Sequence, residues 1–260
     1  MLTQKIKKLI KKASRQLDLL PFLFSPAEEK NNDLILVTGS DSSHAKSLFQ
    51  FLASISKHEP NLKTIVFDLG LSESDREKIR GNFPAAELRL FDYSKYPAYF
   101  NIKINAGEYA WKPVIICDVL NEFKSRVCWM DAGNKLTSRL TWIRKITGAI
   151  GIYSPQSNGT IADWTHPKTL EFLKASPLLL DRPNLNGACI AANYRHPQVR
   201  ELINQWKACA LTKECIAPAG SSRQNHRQDQ AVLSVLAQQY DLTRKIPTKF
   251  YGFKIHQDID

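Results

Sequence analysis

The stretch RVCWMDAG at residues 126–133 is an apolar run of strand length that ends on one acid, Asp131, and a turn that holds Gly133. An apolar run of this length, bounded by a turn, is typical of a buried strand. The acid at its end has the oxygen atoms that Mg²⁺ or Mn²⁺ prefers, and it can also bind a ribose hydroxyl. The plainer alternative is that Asp131 caps a following helix. Asp131 is therefore the first candidate for a functional residue.

On both sides of this stretch, apolar runs alternate with segments of helical periodicity. We predict strands at residues 33–38, 63–68, 87–91, 126–130, 149–153 and 188–192. We predict helices at residues 44–56, 72–80, 109–123, 137–147, 170–175, 198–211 and 228–239. Such alternation predicts an α/β fold with a mostly parallel central sheet and helices on both faces.

Polar side chains follow three of the predicted strands. Ser40 and Asp41 follow the first strand, Asp68 ends the second, and Asp131 follows the fourth. Ligands of open α/β sheets bind beyond the carboxyl ends of the strands, so we expect these side chains to surround one site. The sequence has no GxxxxGK(S/T) phosphate loop, no GxGxxG dinucleotide motif and no GxSxG nucleophile turn, which argues against those kinds of site.

The chain has 260 residues, of which 43% are hydrophobic and 23% charged, as expected for a folded domain. Its net charge of +11 is uneven, because the first 15 residues hold six cations and no acid. A nucleic-acid-binding protein usually places its basic residues within the fold, so we do not expect a nucleic-acid partner. No run of 18 apolar residues occurs, so we predict no membrane span. The five cysteines lack zinc-site spacing, and we predict that they are reduced.

Residues 1–24 have apolar positions at helical spacing with lysines between them, which predicts a basic amphipathic helix. Such a helix can lie on an anionic membrane surface or dock on a partner protein. The alternatives are that it packs on the rest of the protein with its basic side in water, or that it contacts nucleic acid. The reduced cysteines predict a cytoplasmic protein, and on the first interpretation of the helix it is peripheral at the inner face of the membrane.

Several short motifs together resemble the GT-A-fold glycosyltransferases, in particular the glycogenin-like enzymes and the bacterial lipopolysaccharide glycosyltransferases. The resemblance runs from about Leu34 to the C-terminus. It rests on LILVTGSD at residues 34–41, YAWKP at 109–113, WMDAG at 129–133, NGACIA at 186–191, QDQAVL at 228–233, and His256 in the tail. It implies a single GT-A-like domain at residues 33–260 that follows the helix at residues 1–24.

The resemblance also implies a function, which is transfer of a sugar from a nucleotide-diphosphate sugar to a hydroxyl of a glycan or a lipid-linked acceptor, with retention rather than inversion. It implies catalytic roles for Asp229 and Asn186, and a divalent cation, Mn²⁺ or Mg²⁺, at Asp131 and His256. The implied donor-site residues are Thr38, Ser40, Asp41, Asp68, Lys112, Asp131, Gly133 and Gln230. Gly133 departs from the family's DxD motif, because it replaces the second acid. The alternative functions are a non-catalytic nucleotide-sugar-binding module and a membrane-surface interaction protein.

Overall fold

The computed structural model describes residues 18–25, 34–243, 247 and 249–260. Within these ranges the central feature is a six-stranded sheet. Its strands are β1 Leu34–Asp41, β2 Lys63–Gly70, β3 Ala86–Leu90, β4 Arg126–Met130, β6 Ile152–Tyr153 and β9 Cys189–Asn193. They lie in the order β3-β2-β1-β4-β9-β6. Two small antiparallel pairs lie outside it, formed by β5 Lys135–Leu136 with β10 Phe253–Lys254 and by β7 Gln156–Thr160 with β8 Pro183–Leu185.

The sheet is mostly parallel, as predicted. The first four strands in its order pair parallel to one another, whereas β9 pairs antiparallel to both β4 and β6. Every residue of β4 and of β9 is buried. Because successive residues of a strand point to opposite faces, the sheet is covered on both faces, as the apolar runs predict.

The helices alternate with the strands close to their predicted positions. They are α1 Ala45–His58, α2 Glu73–Asn82, α3 Trp111–Phe123, α4 Thr141–Ile150, α5 Ile161–Trp164, α6 Pro167–Phe172, α7 Pro197–Ala210, α8 Lys213–Ile216 and α9 Gln228–Gln239. A reciprocal pair of hydrogen bonds between Ser72 and Asp75 starts α2, and α4 ends where Gly151 takes a left-handed conformation.

Three local predictions were wrong. Residues 149–150, predicted to begin a strand, are the last two residues of α4. Residues 39–41, predicted to lie beyond the first strand, form the end of β1, because Gly39 and Ser40 continue the pairing with Phe67 and Asp68 of β2. The helix predicted from Tyr109 begins at Trp111, after an irregular turn. Pro113 is tolerated there because it lies in the first turn, where its missing N–H removes no helical hydrogen bond.

The cysteines are reduced in part only, which corrects another prediction. Cys209 at the end of α7 and Cys215 in α8 form a disulfide, with their Cα atoms 5.2 Å apart. The short turn between the two helices brings the thiols together, although their spacing matches no common motif. Cys117, Cys128 and Cys189 are free and buried, as expected for small core residues.

The C-terminal tail returns to the edge of the sheet. After β10, the backbone N–H of Gln257 donates to the carbonyl of Gly133 at 2.7 Å, and Gln50 Nε2 donates to the carbonyl of Gln257 at 2.7 Å. The carboxylate of Asp260 accepts hydrogen bonds from the backbone N–H groups of Lys46 and Ser47 at the start of α1. These contacts hold the tail beside the turn that follows β4.

The predicted helix at residues 1–24 falls mostly outside the described ranges, since residues 1–17 are not among them. Residues 18–25 include a 3₁₀ turn at Leu20–Phe22, with Phe22 buried against the core. Phe24 is 96% exposed. No helix in the described part of the chain is both long and apolar enough to cross a membrane. The division into residues 1–24 and 33–260 stays a prediction.

Candidate active site

Two cavities meet at Asp131, at the carboxyl edge of the sheet. The first has a volume of about 390 Å³ and lies over the ends of β1 and β4, and the second has a volume of about 220 Å³. Tyr109 and Asp131 line both. The first is also lined by Ser40, Asp41, His44, Trp111, Gly133 and Asp258, and the second by Lys112, Asn186, Arg223, Arg227, Asp229, Gln230 and His256. The edge is where α/β sheets bind ligands.

A buried ammonium group lies between two carboxylates at the centre of this edge. Lys112 Nζ lies 3.0 Å from Asp131 Oδ1 and 3.3 Å from Asp229 Oδ2, and it donates a hydrogen bond to the carbonyl of Gly187 at 3.1 Å. Only 3% of Lys112 and 5% of Asp229 are exposed. α3 supplies the lysine, β4 leads to Asp131, and α9 supplies Asp229, so three separate elements build the cluster.

Burial and charge oppose each other in this cluster. Burial alone would lower the pKa of Lys112, but the charges of Asp131 and Asp229 together raise it above its usual range. Burial raises the pKa of Asp229, and Asp131 adds to this increase, while Lys112 opposes it. Lys112 is therefore a permanent buried cation. Breaking such a pair by removing one partner costs on the order of 3–5 kcal/mol, because the other charge is left buried and unpaired.

Asp131 is held by its neighbours and still reaches the cavities. Its Oδ1 accepts a hydrogen bond from Trp129 Nε1 at 2.6 Å, and its backbone N–H donates to the carbonyl of Ala188 at 3.0 Å. The Asp131 side chain is 40% exposed. Lys112 Nζ also lies 5.6 Å from the centre of the Trp129 ring and 5.7 Å from that of Trp111. One oxygen of Asp131 is thus fixed, and the carboxylate faces solvent in part.

The Asn186-Gly187 turn and the start of α9 form the wall of the second cavity. Asn186 Oδ1 accepts from the backbone N–H of Ala188 at 2.8 Å, so its amide shapes the turn as well as lining the cavity. Gln230 Oε1 accepts from the N–H of Gly187 at 3.4 Å, and Gln230 Nε2 is buried without a hydrogen-bond partner. Asp229 Oδ2 makes no hydrogen bond beyond its ion pair with Lys112. Unpaired polar atoms at a cavity are typical of a ligand site.

A left-handed turn before α3 places Tyr109 between the two cavities. The φ angles of residues 105–109 are all positive, between 48° and 64°, although only Gly107 is a glycine. A left-handed conformation costs a non-glycine residue roughly 1–2 kcal/mol. Contacts hold the turn in place: Trp111 Nε1 donates to the carbonyl of Ala106, and Gln228, also at positive φ, donates to Glu108. Strain of this kind is concentrated at functional sites.

Two predicted donor-site residues lie outside both cavities. Thr38 is fully buried in β1. Asp68 is 2% exposed, and its carboxylate accepts hydrogen bonds from the N–H groups of Gly70 and Leu71 and from Arg76 Nε. Asp68 therefore organises the turn that follows β2. The other predicted residues line one cavity or both.

Sequence reasoning missed two arginines in the second cavity. The guanidinium of Arg223 lies over the ring of Tyr109, 4.8 Å from its centre, and that of Arg227 lies over Trp164 at 3.9 Å. Both residues belong to a polar stretch before α9 that has no motif, and only their closeness to the Asp229 motif could have indicated them.

In the described part of the chain, the two cavities do not offer a full set of protein ligands for a divalent cation. No group of three His, Cys, Asp or Glu side chains within the described ranges is placed to hold a metal ion. Gly133 offers no carboxylate of its own, and Asp258 would have to move to admit a side chain there, because a Cβ on Gly133 would lie 2.2 Å from Asp258 Oδ1. His256 lines the second cavity with Asp131, so the implied metal site has two protein ligands there. The cation built into this site is Lys112.

Comparison with known proteins gives one partial family match. A family model described as "Protein of unknown function (DUF1647)" matches residues 6–117, which is less than half of the chain. No curated protein matches the sequence at a significant level.

Three solved structures are similar in fold. Core-mannan synthase A from Aspergillus fumigatus, in a form with Mn and GDP, matches with a TM-score of 0.54 and 8% identity, over 83% of this chain and 72% of that one. The galactosyltransferase LgtC, in complex with donor and acceptor sugar analogues, matches with a TM-score of 0.50 and 16% identity, over 78% and 70%.

The bifunctional glycosyltransferase WbbM, in its apo form, matches with a TM-score of 0.50 and 13% identity. The match covers 80% of this chain but 38% of that one, so the chain spans well under half the length of WbbM. Identities this low show the fold alone. The structural matches, together with the strand order, confirm the predicted architecture. The chain has the GT-A fold, which LgtC and core-mannan synthase A share.

Proposed function

We propose that the chain transfers a sugar from a nucleotide-diphosphate sugar to an acceptor hydroxyl. The observation that carries the proposal is the buried cluster of Lys112 with Asp131 and Asp229, at the junction of two cavities on the carboxyl edge of a GT-A sheet. A leaving nucleoside diphosphate carries negative charge, and the sugar it leaves carries developing positive charge. The cluster has one fixed charge suited to each.

The first cavity suits the nucleoside. Its volume of about 390 Å³ lies within the range of small-molecule sites, roughly 300–1,000 Å³. Trp111 and Tyr109 offer aromatic surface to a base, and Ser40 and Asp41 offer polar atoms. Asp131, at the boundary, would hold the ribose. The cavity supports these roles through its size and through the types of residue that line it.

The second cavity suits the donor sugar and the incoming hydroxyl. As the bond from the anomeric carbon to the diphosphate breaks, the diphosphate leaves with the electron pair and Lys112 offsets its charge. The acceptor oxygen then bonds to the anomeric carbon, and its proton passes to the leaving phosphate. Asp229 and Asn186 would position the sugar, and the Asp229 carboxylate would stabilise the oxocarbenium-like charge. We propose a hexosyl donor, a glycan or lipid-linked acceptor and retention, as the resemblance implies.

A divalent cation adds little to this mechanism. Position 133 offers no carboxylate, and Asp131 Oδ1 already accepts hydrogen bonds from Trp129 and Lys112. A cation bound at Asp131 and His256 would screen the diphosphate, but Lys112 supplies a charge without it. We therefore propose that transfer depends much more on Lys112 than on Mn²⁺ or Mg²⁺.

The N-terminal segment supports a proposal about where the enzyme lies in the cell. Six cations lie in residues 1–15, and Leu20, Leu23 and Phe24 are exposed beside Lys145, whose Nζ donates to the carbonyl of Leu23. Apolar side chains next to cations suit an anionic lipid surface. We propose that residues 1–24 hold the enzyme at the cytoplasmic face of a membrane. Without these residues, vesicle binding should be lost and sugar transfer retained.

The experiment that tests the reaction is a screen of UDP-, GDP- and CMP-sugars against the full chain. Thermal stabilisation reports binding, since a ligand that binds only the native state raises its stability. Release of UDP, GDP or CMP together with the sugar reports turnover. Binding with turnover supports the enzyme, binding without turnover supports a binding module, and stabilisation by none of the donors contradicts both.

A further inference from the structure

Arg223 and Arg227 place two guanidinium groups in the second cavity, and the mechanism above uses neither. Arg223 is exposed and Arg227 is half-buried, and both line the cavity with Asn186 and Gln230. Within the described part of the chain, neither forms a salt bridge with a carboxylate, whereas Arg76, Arg89 and Arg144 all do. Two cations at a cavity that pair with no carboxylate of the described residues are available to an anionic ligand.

Aromatic rings orient both guanidinium groups. Arg223 lies over Tyr109, and Arg227 lies over Trp164 with 3.9 Å between the guanidinium carbon and the ring centre. Trp164 is itself held, because its Nε1 donates to the carbonyl of Asn158 at 3.0 Å and its backbone carbonyl accepts from the N–H of Arg227. Stacking uses the face of a guanidinium and leaves the N–H groups at its edge available to a ligand.

The two charges are also close enough to oppose each other. Burial lowers the pKa of Arg227, and the charge of Arg223 lowers it further. Arg227 is the residue before α9, so it lies at the helix N-terminus, where the backbone adds positive potential. An anion between the two arginines would relieve this repulsion and would accept hydrogen bonds from both edges.

The location separates this anion from the nucleoside. Neither arginine lines the first cavity, which the nucleoside would occupy, whereas Lys112 lines the second cavity with both of them. The arginines instead share the second cavity with Asn186 and Gln230, on the side where the sugar and the acceptor would meet. A neutral sugar offers these guanidinium groups only uncharged hydroxyl oxygens, whose hydrogen bonds are weaker than those of an anion.

We propose, on the basis of the proposed function, that Arg223 and Arg227 form a subsite for an acidic group, a carboxylate or a phosphate, carried by the transferred sugar or by the acceptor. The pair selects an acidic saccharide over a neutral one through charge-assisted hydrogen bonds, for which the planar guanidinium is well shaped. Each such bond is worth about a tenfold change in affinity.

Calorimetric titration of the full chain tests the subsite. The acceptor arm compares glucuronic acid and glucose 6-phosphate with glucose, both without nucleotide and with saturating UDP or GDP. The donor arm compares UDP-glucuronic acid with UDP-glucose. The variants are Arg223→Gln and Arg227→Gln. Arg200→Gln is the matched control, because Arg200 also lies over a tyrosine, Tyr194, but outside both cavities.

The proposal expects at least a tenfold preference for the acidic ligand in one arm, with loss of that preference in both cavity variants and retention in the control. UDP or GDP binding should change less than threefold, and Arg223→Lys should keep part of the preference. Equal affinity for acidic and neutral ligands would overturn the proposal. So would variants that weaken UDP or GDP binding tenfold and leave the preference unchanged, because the pair would then hold the diphosphate. Failure of the proposed function would be distinct, since no nucleotide would bind even where an acidic sugar does.

Discussion

The Lys112→Met substitution removes the buried ammonium and leaves the Asp229 carboxylate, with 5% of that residue exposed, without its ion pair. Removal of one partner of a buried pair costs about 3–5 kcal/mol, and protonation of Asp229 limits the loss at low pH. We expect a loss of this size at pH 7. Lys207→Met is the matched control, because Lys207 pairs with Asp118 at 2.5 Å with both side chains partly exposed, and should lose less than about 1 kcal/mol.

Urea unfolding measures the loss in free energy of unfolding for both lysine variants. The double variant Lys112→Met with Asp229→Asn then separates the effect of charge from that of packing. Its neutral amide removes the unpaired charge, so it should recover much of the lost stability, while nucleotide-sugar binding stays weak because the diphosphate has no cation. A loss below 1 kcal/mol in the single variant would refute the reasoning. A double variant whose loss equals the sum of the two single losses would also refute it, because the two residues would then be uncoupled.

Three further predictions follow from the site and the core. Gly107→Ala should destabilise the protein by more than about 2 kcal/mol in urea unfolding, because φ is +64° and the new Cβ would lie 2.2 Å from the carbonyl oxygen of Phe100; Gly81→Ala in α2, where nothing lies within 4 Å, should be neutral or stabilising. Burial lowers the pKa of His226 from 6.5 to about 4, so between these pH values only the unfolded state takes up the proton. The free energy of unfolding should therefore fall by up to about 3 kcal/mol as the pH falls from 6.5 to 4. A His226→Gln variant should lose that part of the pH dependence, and an unchanged profile would contradict the burial argument. EDTA should lower sugar transfer less than tenfold, and complete loss that Mn²⁺ restores would show that the metal, not Lys112, is the main cation.

The sheet was accessible from sequence because its strands are apolar runs with both faces buried. The run of residues 126–130 needs no partner to be recognised, and the strand found there has the predicted bounds. The sequence also indicated Asp131, since an acid directly after such a run must lie at the edge of the sheet. The end of β1 was missed because Gly39 and Ser40 are residue types common in turns, and only the pairing with β2 keeps them extended.

The parts that were missed depend on contacts between distant residues. Nothing local indicates five successive left-handed residues before α3; the turn is held by Trp111 and by Gln228, the latter 120 positions from its partner Glu108. The pairing of Lys112 with both Asp131 and Asp229 requires α3, β4 and α9 to converge. The sequence motifs indicated the three residues but not that they contact one another. The disulfide of Cys209 with Cys215 likewise depends on the turn between α7 and α8.

The most direct test of the central claim is turnover of the nucleotide-sugar that stabilises the full chain most, measured for the wild type, for Asp131→Ala and for Asp118→Ala, a control on the exposed side of α3. Folding of each variant is checked by its melting temperature. We predict that Asp131→Ala lowers release of the nucleoside diphosphate at least a hundredfold, because the variant loses the carboxylate that would hold the donor ribose and that pairs with Lys112. Asp118→Ala should leave the release within twofold of the wild type. Wild-type turnover by a folded Asp131→Ala variant would contradict the account.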